Sequence, residues 1–440
     1  MQNLHNIIIS SGPVTLQGSV EISGSKNASL PLLAASLLCD GPVNFSNIPT
    51  LSDIGIFVAL LTSLGSYVEW VNKGIRIAHH QTSSLALSPA LANKIRGSVL
   101  LLGPLIARYG KVQLPMPGGC PIGKRPIDFH LMALEQLGAR FYNTPQGVCG
   151  EAPSGLRGAT IRFPKPTVTG TENLIMAACL ATGTTQLENC AHDPEVDELI
   201  RFLVSAGANI QREDDRIIIE GSQSLLKAPS NFSIVADRME AGSFIAACGM
   251  TQGSIELIYD QCPGLEPVLD HVTAMGMSLS QSSKGLSVKS NQRLKARSFT
   301  TLPHPGFPTD LQAPFMALNC VSEGCSVIEE QIWENRFFHA EEFLKLGATL
   351  SIVGNQVHIS GTRNLKANIV SAQDLRGSCA LLLMALVAQG ETILLNNHHL
   401  DRGYEFIVNK LNALGANIRR EYCSDQELEH YRMHTACLVA

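Results

Sequence analysis

Three glycines and three prolines crowd one stretch of ten residues, Pro117-Gly118-Gly119-Cys120-Pro121-Ile122-Gly123-Lys124-Arg125-Pro126. That density of special backbone geometry makes a loop. The loop carries one thiol beside two cations, which favour thiolate and suit Cys120 to act as an acid or a nucleophile. An incidental cysteine in a flexible surface loop fits the same spacing. A second motif, Ser23-Gly24-Ser25-Lys26-Asn27-Ala28, leads a cation and an amide donor into an apolar run. It is built like a phosphate-cradling turn but lacks the Walker pattern, so nucleotide hydrolysis does not follow. A third, Phe307-Pro308-Thr309-Asp310, offers a carboxylate able to take a proton from a hydroxyl. An Asp there serves equally as a helix N-cap. Finally, Glu334-Asn335-Arg336, Asp374-Leu375-Arg376 and Asp401-Arg402-Gly403 supply three guanidinium groups. Arg grips carboxylate and phosphate bidentately, and the adjacent acids are expected to hold each fork in place.

The elements that must position these groups repeat at intervals of about seventy residues. A small-residue helix ends at Gly41, Gly110, Gly183, Gly253, Gly324 and Gly390. An apolar run and a polar loop follow. A second helix then closes at Gly65, Gly138, Gly207, Gly276, Gly347 and Gly415. Gly past a helix end enters the left-handed region without steric cost. Stepping back fourteen or fifteen residues from each first glycine gives the expected helix starts: Lys26, Arg96, Thr169, Arg238, Asp310 and Arg376. Four of the six are cationic, and helix N-termini add their own partial positive charge. If the repeats are arranged alike, these ends gather into an anion-binding site. Solvated charges at exposed helix ends are the plain alternative. In the third repeat, helices are expected over residues 173–181 and 194–206, the latter capped by Asp193. Strands 209–211 and 216–219 then flank an Asp214-Asp215 turn. The first helices are apolar all round, as in Ala380 to Ala388, so they belong inside, with sheets outside. The fold class is α/β. Six units divide into two domains of three, crossing near residues 234–238, and the N-terminal strands could pair with either half.

Composition narrows the classes of function. A chain of 440 residues is too long for one ordinary core. Hydrophobic residues make up 45%, so it is globular, and a net charge of −5 argues against a general nucleic-acid binder. A cationic site in an acidic protein suits a small anionic ligand. The twelve cysteines include no Cys-x-x-Cys, and Cys39, Cys179, Cys248, Cys320 and Cys379 sit in Ala/Leu-rich runs. They are expected to be buried thiols of a reducing compartment. No signal peptide or bilayer-spanning stretch is read, which points to the cytoplasm and no membrane partner.

In this order, the Ser-Gly-x-Lys-Asn start, the Pro-Gly-Gly-Cys loop, Gly306-Phe307-Pro308-Thr309-Asp310, Glu334-Asn335-Arg336-Phe337 and Asp374-Leu375-Arg376 resemble the enolpyruvyl transferase family, from about Gly12 to Arg420. The resemblance implies a two-domain inside-out α/β barrel, three repeats per domain, with the site between domains. The domains would be residues 24–234, and residues 1–23 with 235–440, where the tail 422–440 has no assigned role. It implies transfer of the enolpyruvyl group of phosphoenolpyruvate to the 3′-hydroxyl of UDP-N-acetylglucosamine. Phosphate is released through a tetrahedral ketal, without metal or organic cofactor. Cys120 would be the general acid and Asp310 the base. Lys26, Arg125 and Arg402 match phosphate contacts of the donor, and Arg336 and Arg376 its carboxylate contacts. Arg238, Glu334 and Asp374 join the substrate set by their place in the motifs. Asn27, Arg96, Arg125, Pro126, Ile127, Asp128, Phe129, Lys165, Thr167 and Val168 match the nucleotide-sugar site, and Ile332 a further contact. The family's fosfomycin-sensitive members imply attack of this epoxide at Cys120. Ser25, Pro166, Thr169 and Gly377-Ser378-Cys379 depart from the usual pattern without removing a catalytic side chain. A sister transferase acting on shikimate 3-phosphate would lack the Cys120 loop. A paralogue with another acceptor, or a non-catalytic nucleotide-sugar binder, are the remaining alternatives.

Overall fold

A computed structural model of the chain describes residues 4–80, 85–120, 122–222, 224–429 and 431. Pro121 of the glycine loop and the end of the tail lie outside the described residues. The chain divides into two compact units of mixed α/β structure. One comprises residues 24–119 and 124–235; the other comprises residues 1–23, 120–123 and 236–440.

In the first unit, Phe232–Ser233 lies parallel to Val43–Ser46, which pairs antiparallel with Gly74–His79 and then Ser66–Val71. Thr160–Arg162, Thr184–Glu188, Arg216–Glu220 and Asn209–Glu213 repeat that order. The sheet Lys111–Leu114, Gly147–Glu151, Arg140–Thr144 follows it too, with a lone parallel bridge from Ala86 to Gln113 in the outer place. In the second unit, Gln17–Glu21 lies parallel to Ser254–Ile258, followed by Gly285–Lys289 and Ser278–Ser282. Phe299–Thr301, Cys325–Glu330, Gln356–Ser360 and Thr349–Val353 form the next sheet. In the last, Leu4–Gly12 sits between Gly390–Leu395 and Asn417–Ser424 and pairs with both. The N-terminal strands thus belong to sheets built from the second half of the chain.

Each unit has its own apolar core. Every residue of the helices Arg238–Met250 and Leu375–Ala385 is buried, as their all-round apolarity requires. Cys39, Cys179, Cys248, Cys320 and Cys379 are buried too. Burial pushes their thiols up, to about 12 for Cys39, Cys179 and Cys320 and about 11 for Cys248 and Cys379. They are inert packing groups.

The helix starts fall where the repeat puts them, with two local differences. Lys26, Arg238 and Arg376 open or nearly open the helices Lys26–Ala35, Arg238–Met250 and Leu375–Ala385. Thr169 is the second residue of Val168–Ala178, which begins and ends earlier than the 173–181 expected. Arg96 and Asp310 open 3₁₀ turns instead, Arg96–Leu101 and Thr309–Leu311, ahead of the helices Leu102–Tyr109 and Gln312–Val321. Pro104 and Pro314 each stand third in those α-helices. A proline is tolerated there because an N–H in the first turn has no intrahelical partner; further in, it would break a bond.

Eleven of the twelve repeat glycines are left-handed. The second set stops its helices as expected: Ala139, Ala208, Met277, Ala348 and Ala416 each donate back to the carbonyl five residues earlier, closing Schellman turns. The first set is different. Only Gly110 caps its helix, while Gly183 and Gly324 lie beyond the helix end, in the turn into the next strand, and Gly390 opens its strand. Gly253 is the exception in conformation. Gln252 takes the positive φ of 49°, and Gly253 is needed because a Cβ would stand 2.4 Å from the Leu16 carbonyl oxygen.

In the third repeat the helix is Pro194–Ser205, and Asp193 occupies its N-cap position without a side-chain capping bond. The hairpin Asn209–Glu213 and Arg216–Glu220 turns at Asp214, φ 57°. The start of the tail is fastened to the last sheet. Ser424 and Glu427 form a reciprocal capping box, and Leu428 packs with Ile7, Ile9, Ile393 and Cys423 on the last sheet. Among the described residues no helix is long and apolar enough to cross a membrane.

Candidate functional site

The second unit brings three of the proposed site residues, Asp310, Arg336 and Arg376, into contact. Asp310 lies in its 3₁₀ turn with its carboxylate between two guanidinium groups. Arg336 Nη2 donates to Oδ1 at 2.6 Å, and Arg376 donates to Oδ2 through Nε at 3.1 Å and Nη2 at 2.7 Å. Asp310 caps no helix, so the capping alternative is overturned. Two of the unit's three first-helix starts therefore meet here. Arg376 is 2% exposed. Burial pushes its guanidinium down, but Asp310 first, then Tyr404 and Asp237, together outweigh burial and hold it well above its ordinary value.

Glu330 builds the floor under Arg336. It accepts from Thr301 Oγ1, Thr309 Oγ1 and the backbone N–H groups of Ile332 and Trp333. Arg336 Nη1 donates to the same Thr309 hydroxyl at 2.7 Å. One buried carboxylate thus fixes both the Ile332 segment and the guanidinium beyond it. A lone Glu at the end of a strand carried no signal of this role in the sequence.

The neighbour acids do not hold the forks as expected. Asp374 accepts from the backbone N–H groups of Arg376 and Gly377, at 2.9 Å each, and caps Leu375–Ala385. Asp401 pairs with Arg420 rather than Arg402. Glu334 is exposed, and a Cβ on Gly123 would stand 2.3 Å from its Oε2. Side chains one or two residues apart at a helix entrance point in different directions. The acid that braces Arg336 and Arg376 is Asp310, 26 and 66 residues away.

The thiol has a cation against it from its own unit: Arg402 Nη1 lies 3.1 Å from Cys120 Sγ. A guanidinium at that distance donates a charge-assisted hydrogen bond to the sulfur. The Ile122 carbonyl accepts from Asn335 N–H at 3.1 Å, so the loop's tip rests beside the Arg336 segment. Arg238 opens its helix buried, behind the cap Asp237, whose carboxylate accepts from the Met239 and Glu240 N–H groups.

The first unit gathers the other set. Ser25 caps Lys26–Ala35, and Lys26 Nζ lies 3.5 Å from the buried Asp53 carboxylate. Asn27 follows, half-buried. Arg96 Nη2 donates to the Pro126 carbonyl at 3.0 Å. A Cβ on Gly119 would touch Arg96 Cβ at 3.1 Å and Arg125 Nη1 at 3.3 Å, so Gly119 lets these two cations converge. Burial, and after it the Arg125 charge, pushes Arg96 down to about 10. Arg125 itself takes a positive φ of 46°, a conformation that costs a non-glycine residue energy.

Ile127 and Asp128 start the helix Asp128–Gln136. Lys165 Nζ stands 5.8 Å from the Phe129 ring centre, within cation–π range. Thr167 caps Val168–Ala178 through the Gly170 N–H. His130, which the sequence reading passed over, ties these elements together: its Nε2 meets Thr169 Oγ1 at 3.0 Å. Burial and then Arg96 hold His130 down at about 4, so it is neutral.

Against known proteins, the family model for EPSP synthase (3-phosphoshikimate 1-carboxyvinyltransferase) matches residues 10–411. A UDP-N-acetylglucosamine 1-carboxyvinyltransferase of Acinetobacter baylyi is 43% identical over 412 residues, spanning 93% of this chain and 98% of the relative. One of Desulfovibrio desulfuricans is 45% identical over 419 residues, spanning 94% and 99%. Among solved structures, the enolpyruvyl transferase NikO of Streptomyces tendae superposes with TM-score 0.86 at 23% identity, covering 96% of this chain and all of that one. EPSP synthase of Acinetobacter baumannii gives 0.74 at 16% identity over 95% of this chain and all of its own. These two likenesses carry the fold. The sequence relatives carry more: the chain belongs to the EPSP synthase family of enolpyruvyl transferases, on the branch whose curated relatives are named UDP-N-acetylglucosamine 1-carboxyvinyltransferase.

Proposed function

We propose that this chain transfers the enolpyruvyl group of phosphoenolpyruvate to the 3′-hydroxyl of UDP-N-acetylglucosamine, releasing phosphate, in peptidoglycan synthesis in the cytoplasm. The observation that carries the reading is Arg402 Nη1 at 3.1 Å from Cys120 Sγ. It joins the acid to a cation able to hold the leaving phosphate.

The donor carries about three negative charges, so its capture requires a cluster of preorganised cations. Lys26, Arg125 and Arg402 take its phosphate, and Arg336 and Arg376 its carboxylate. Asn27, Arg96, residues 125–129, Lys165, Thr167 and Val168 hold the nucleotide sugar, with Ile332 as a further contact. Arg238, Glu334 and Asp374 support the set from their helix entrances. The sugar oxygen bonds to C2 of the donor, giving its proton to Asp310, while Cys120 supplies a proton to the C3 methylene. The product of this addition is a tetrahedral ketal. It collapses as the C2–O bond to phosphate breaks and a C3 proton returns to the Cys120 thiolate, restoring the alkene as an enol ether and the thiol. Bringing hydroxyl and alkene into one water-poor site supplies the alignment.

The same reading extends to the architecture: two inside-out barrels of three units each, residues 24–234, and residues 1–23 with 235–440. The experiment is phosphate release from phosphoenolpyruvate with UDP-N-acetylglucosamine as acceptor, on wild type and Cys120→Ala. Acceptor-dependent release that falls by about two to four orders of magnitude in the variant is expected. Release that survives moves the acid elsewhere, and none from wild type rejects the acceptor.

A further inference from the structure

Tyr404 stands two residues beyond Arg402 and is 1% exposed. The Ser243 hydroxyl donates to the Met239 carbonyl at 2.8 Å, so its single proton is used. The Tyr404 hydroxyl, 3.0 Å from Ser243 Oγ, is therefore the donor in that pair. The Cys379 side chain, one turn past Arg376, stands against the same phenol, which burial first and then Cys379 push up. Helices Arg238–Met250 and Leu375–Ala385 thus hold one end of the ring. A Cβ on Gly403 would stand 2.8 Å from Leu375 Cδ2, so Gly403 permits the segment's close approach.

The ring itself lies against Arg376. The guanidinium carbon is 5.3 Å from the ring centre. Asp310 uses the Nε and Nη2 atoms of that guanidinium. Nη1 is buried without a hydrogen-bond partner among the described residues. A buried donor that the protein leaves unsatisfied is costly, and a ligand acceptor relieves the cost.

We propose that Tyr404 is a positioning residue for the transfer: its anchored ring fixes the plane of Arg376 so that Nη1 meets the donor's carboxylate while Asp310 keeps the opposite edge. The proposal rests on the functional reading above. Tyr404 touches no reacting atom; it acts through Arg376. The ring face holds the planar cation, and the phenol hydrogen bond holds the ring. Replacing the ring leaves Arg376 charged and paired but free to tilt about its bond to Asp310.

The test is steady-state kinetics of wild type, Tyr404→Leu and Tyr404→Phe, with active sites titrated. Tyr404→Leu is expected to raise KM for phosphoenolpyruvate roughly ten- to thirtyfold, with a much smaller change in kcat. Tyr404→Phe keeps the face and is expected to recover most of the loss. A structural role alone lowers the titrated fraction and leaves KM in place, and that result overturns the proposal. Should Tyr404→Leu fail to fold, Tyr404→Met keeps the buried volume without an aromatic face and is judged by the same split. In an Arg376→Lys background the Tyr404 effect should vanish; a full effect there also overturns it. Donor binding by calorimetry separates the two readings. A wild type that binds phosphoenolpyruvate but transfers nothing sinks the function while leaving the Tyr404 comparison measurable. A wild type that turns over beside a Tyr404→Leu with unchanged KM sinks this inference alone.

Discussion

Two arginine clusters, one in each unit, are assembled by opposite means. Around Arg376 and Arg336 the protein supplies its own counterion, and Asp310 bonds both. Around Arg96 the neighbour is another cation, Arg125, and the fixed partner is the neutral Pro126 carbonyl. The first arrangement stabilises the fold around a nearly sealed charge. The second keeps like charges close, which favours an incoming anion over the protein alone. Stability and ligand readiness are thus weighted differently in the two sets.

Removing the counterion breaks the comparison most sharply. Asp310→Ala leaves Arg376, 2% exposed, as a buried charge without its carboxylate partner. About 3 kcal/mol of stability should be lost, read as a lowered urea midpoint. Because the carboxylate is partly exposed, at 27% of its side chain, the loss should fall at the low end for a buried pair. Acceptor-dependent phosphate release should fall with it. An unchanged midpoint would mean that the Asp310 bridge is not what holds this site.

What the sequence made legible follows from the range of each interaction. Lys26, Arg238 and Arg376 were placed at helix starts within one residue, because caps and stop glycines act locally. The second-helix glycines were legible for the same reason. The partners of the charged groups were not. Arg402 reaches Cys120 across 282 positions of sequence, and Asp310 reaches Arg376 across 66. Nothing in a local pattern distinguishes these from the adjacent acids, whose side chains diverge at a helix entrance. Glu330, His130 and Tyr404 escaped notice because each works by joining elements distant in sequence. Asp193 shows the converse limit: the pattern put it at the right cap position but could not say where its side chain would bond.

Both units also bury neutral histidines, which sharpens the contrast by pH. Burial holds His79 at about 3 and His130 at about 4 in the first unit, and His271 and His339 at about 4 in the second. A free histidine titrates near 6.5, so below that pH the unfolded chain binds protons that the folded chain refuses. Stability is then present above about pH 6.5 and lost as pH falls towards about 4. His271 sits among Phe299, Phe307 and Phe315 at ring distances of 5.3, 5.2 and 5.8 Å. His271→Phe should match wild type near neutrality and gain on it at acid pH, by at most about 1.4 kcal/mol per pH unit. Denaturation midpoints at pH 7 and pH 5 measure this, and parallel curves would contradict it.

The smallest effect on stability is the most telling one for the first unit. Arg96→Met keeps much of the buried stem and removes one of two mutually repelling charges. It forfeits a hydrogen bond to the Pro126 carbonyl, worth about 1 to 2 kcal/mol, while relieving the Arg125 repulsion and the cost of burying a guanidinium. The two should nearly cancel, leaving the urea midpoint within about 0.5 kcal/mol of wild type. The KM for the nucleotide sugar should still rise about tenfold or more, because the anion loses a charged donor. A marked loss of stability with no change in KM would make Arg96 a structural brace like Arg376, and the contrast between the two sets would collapse.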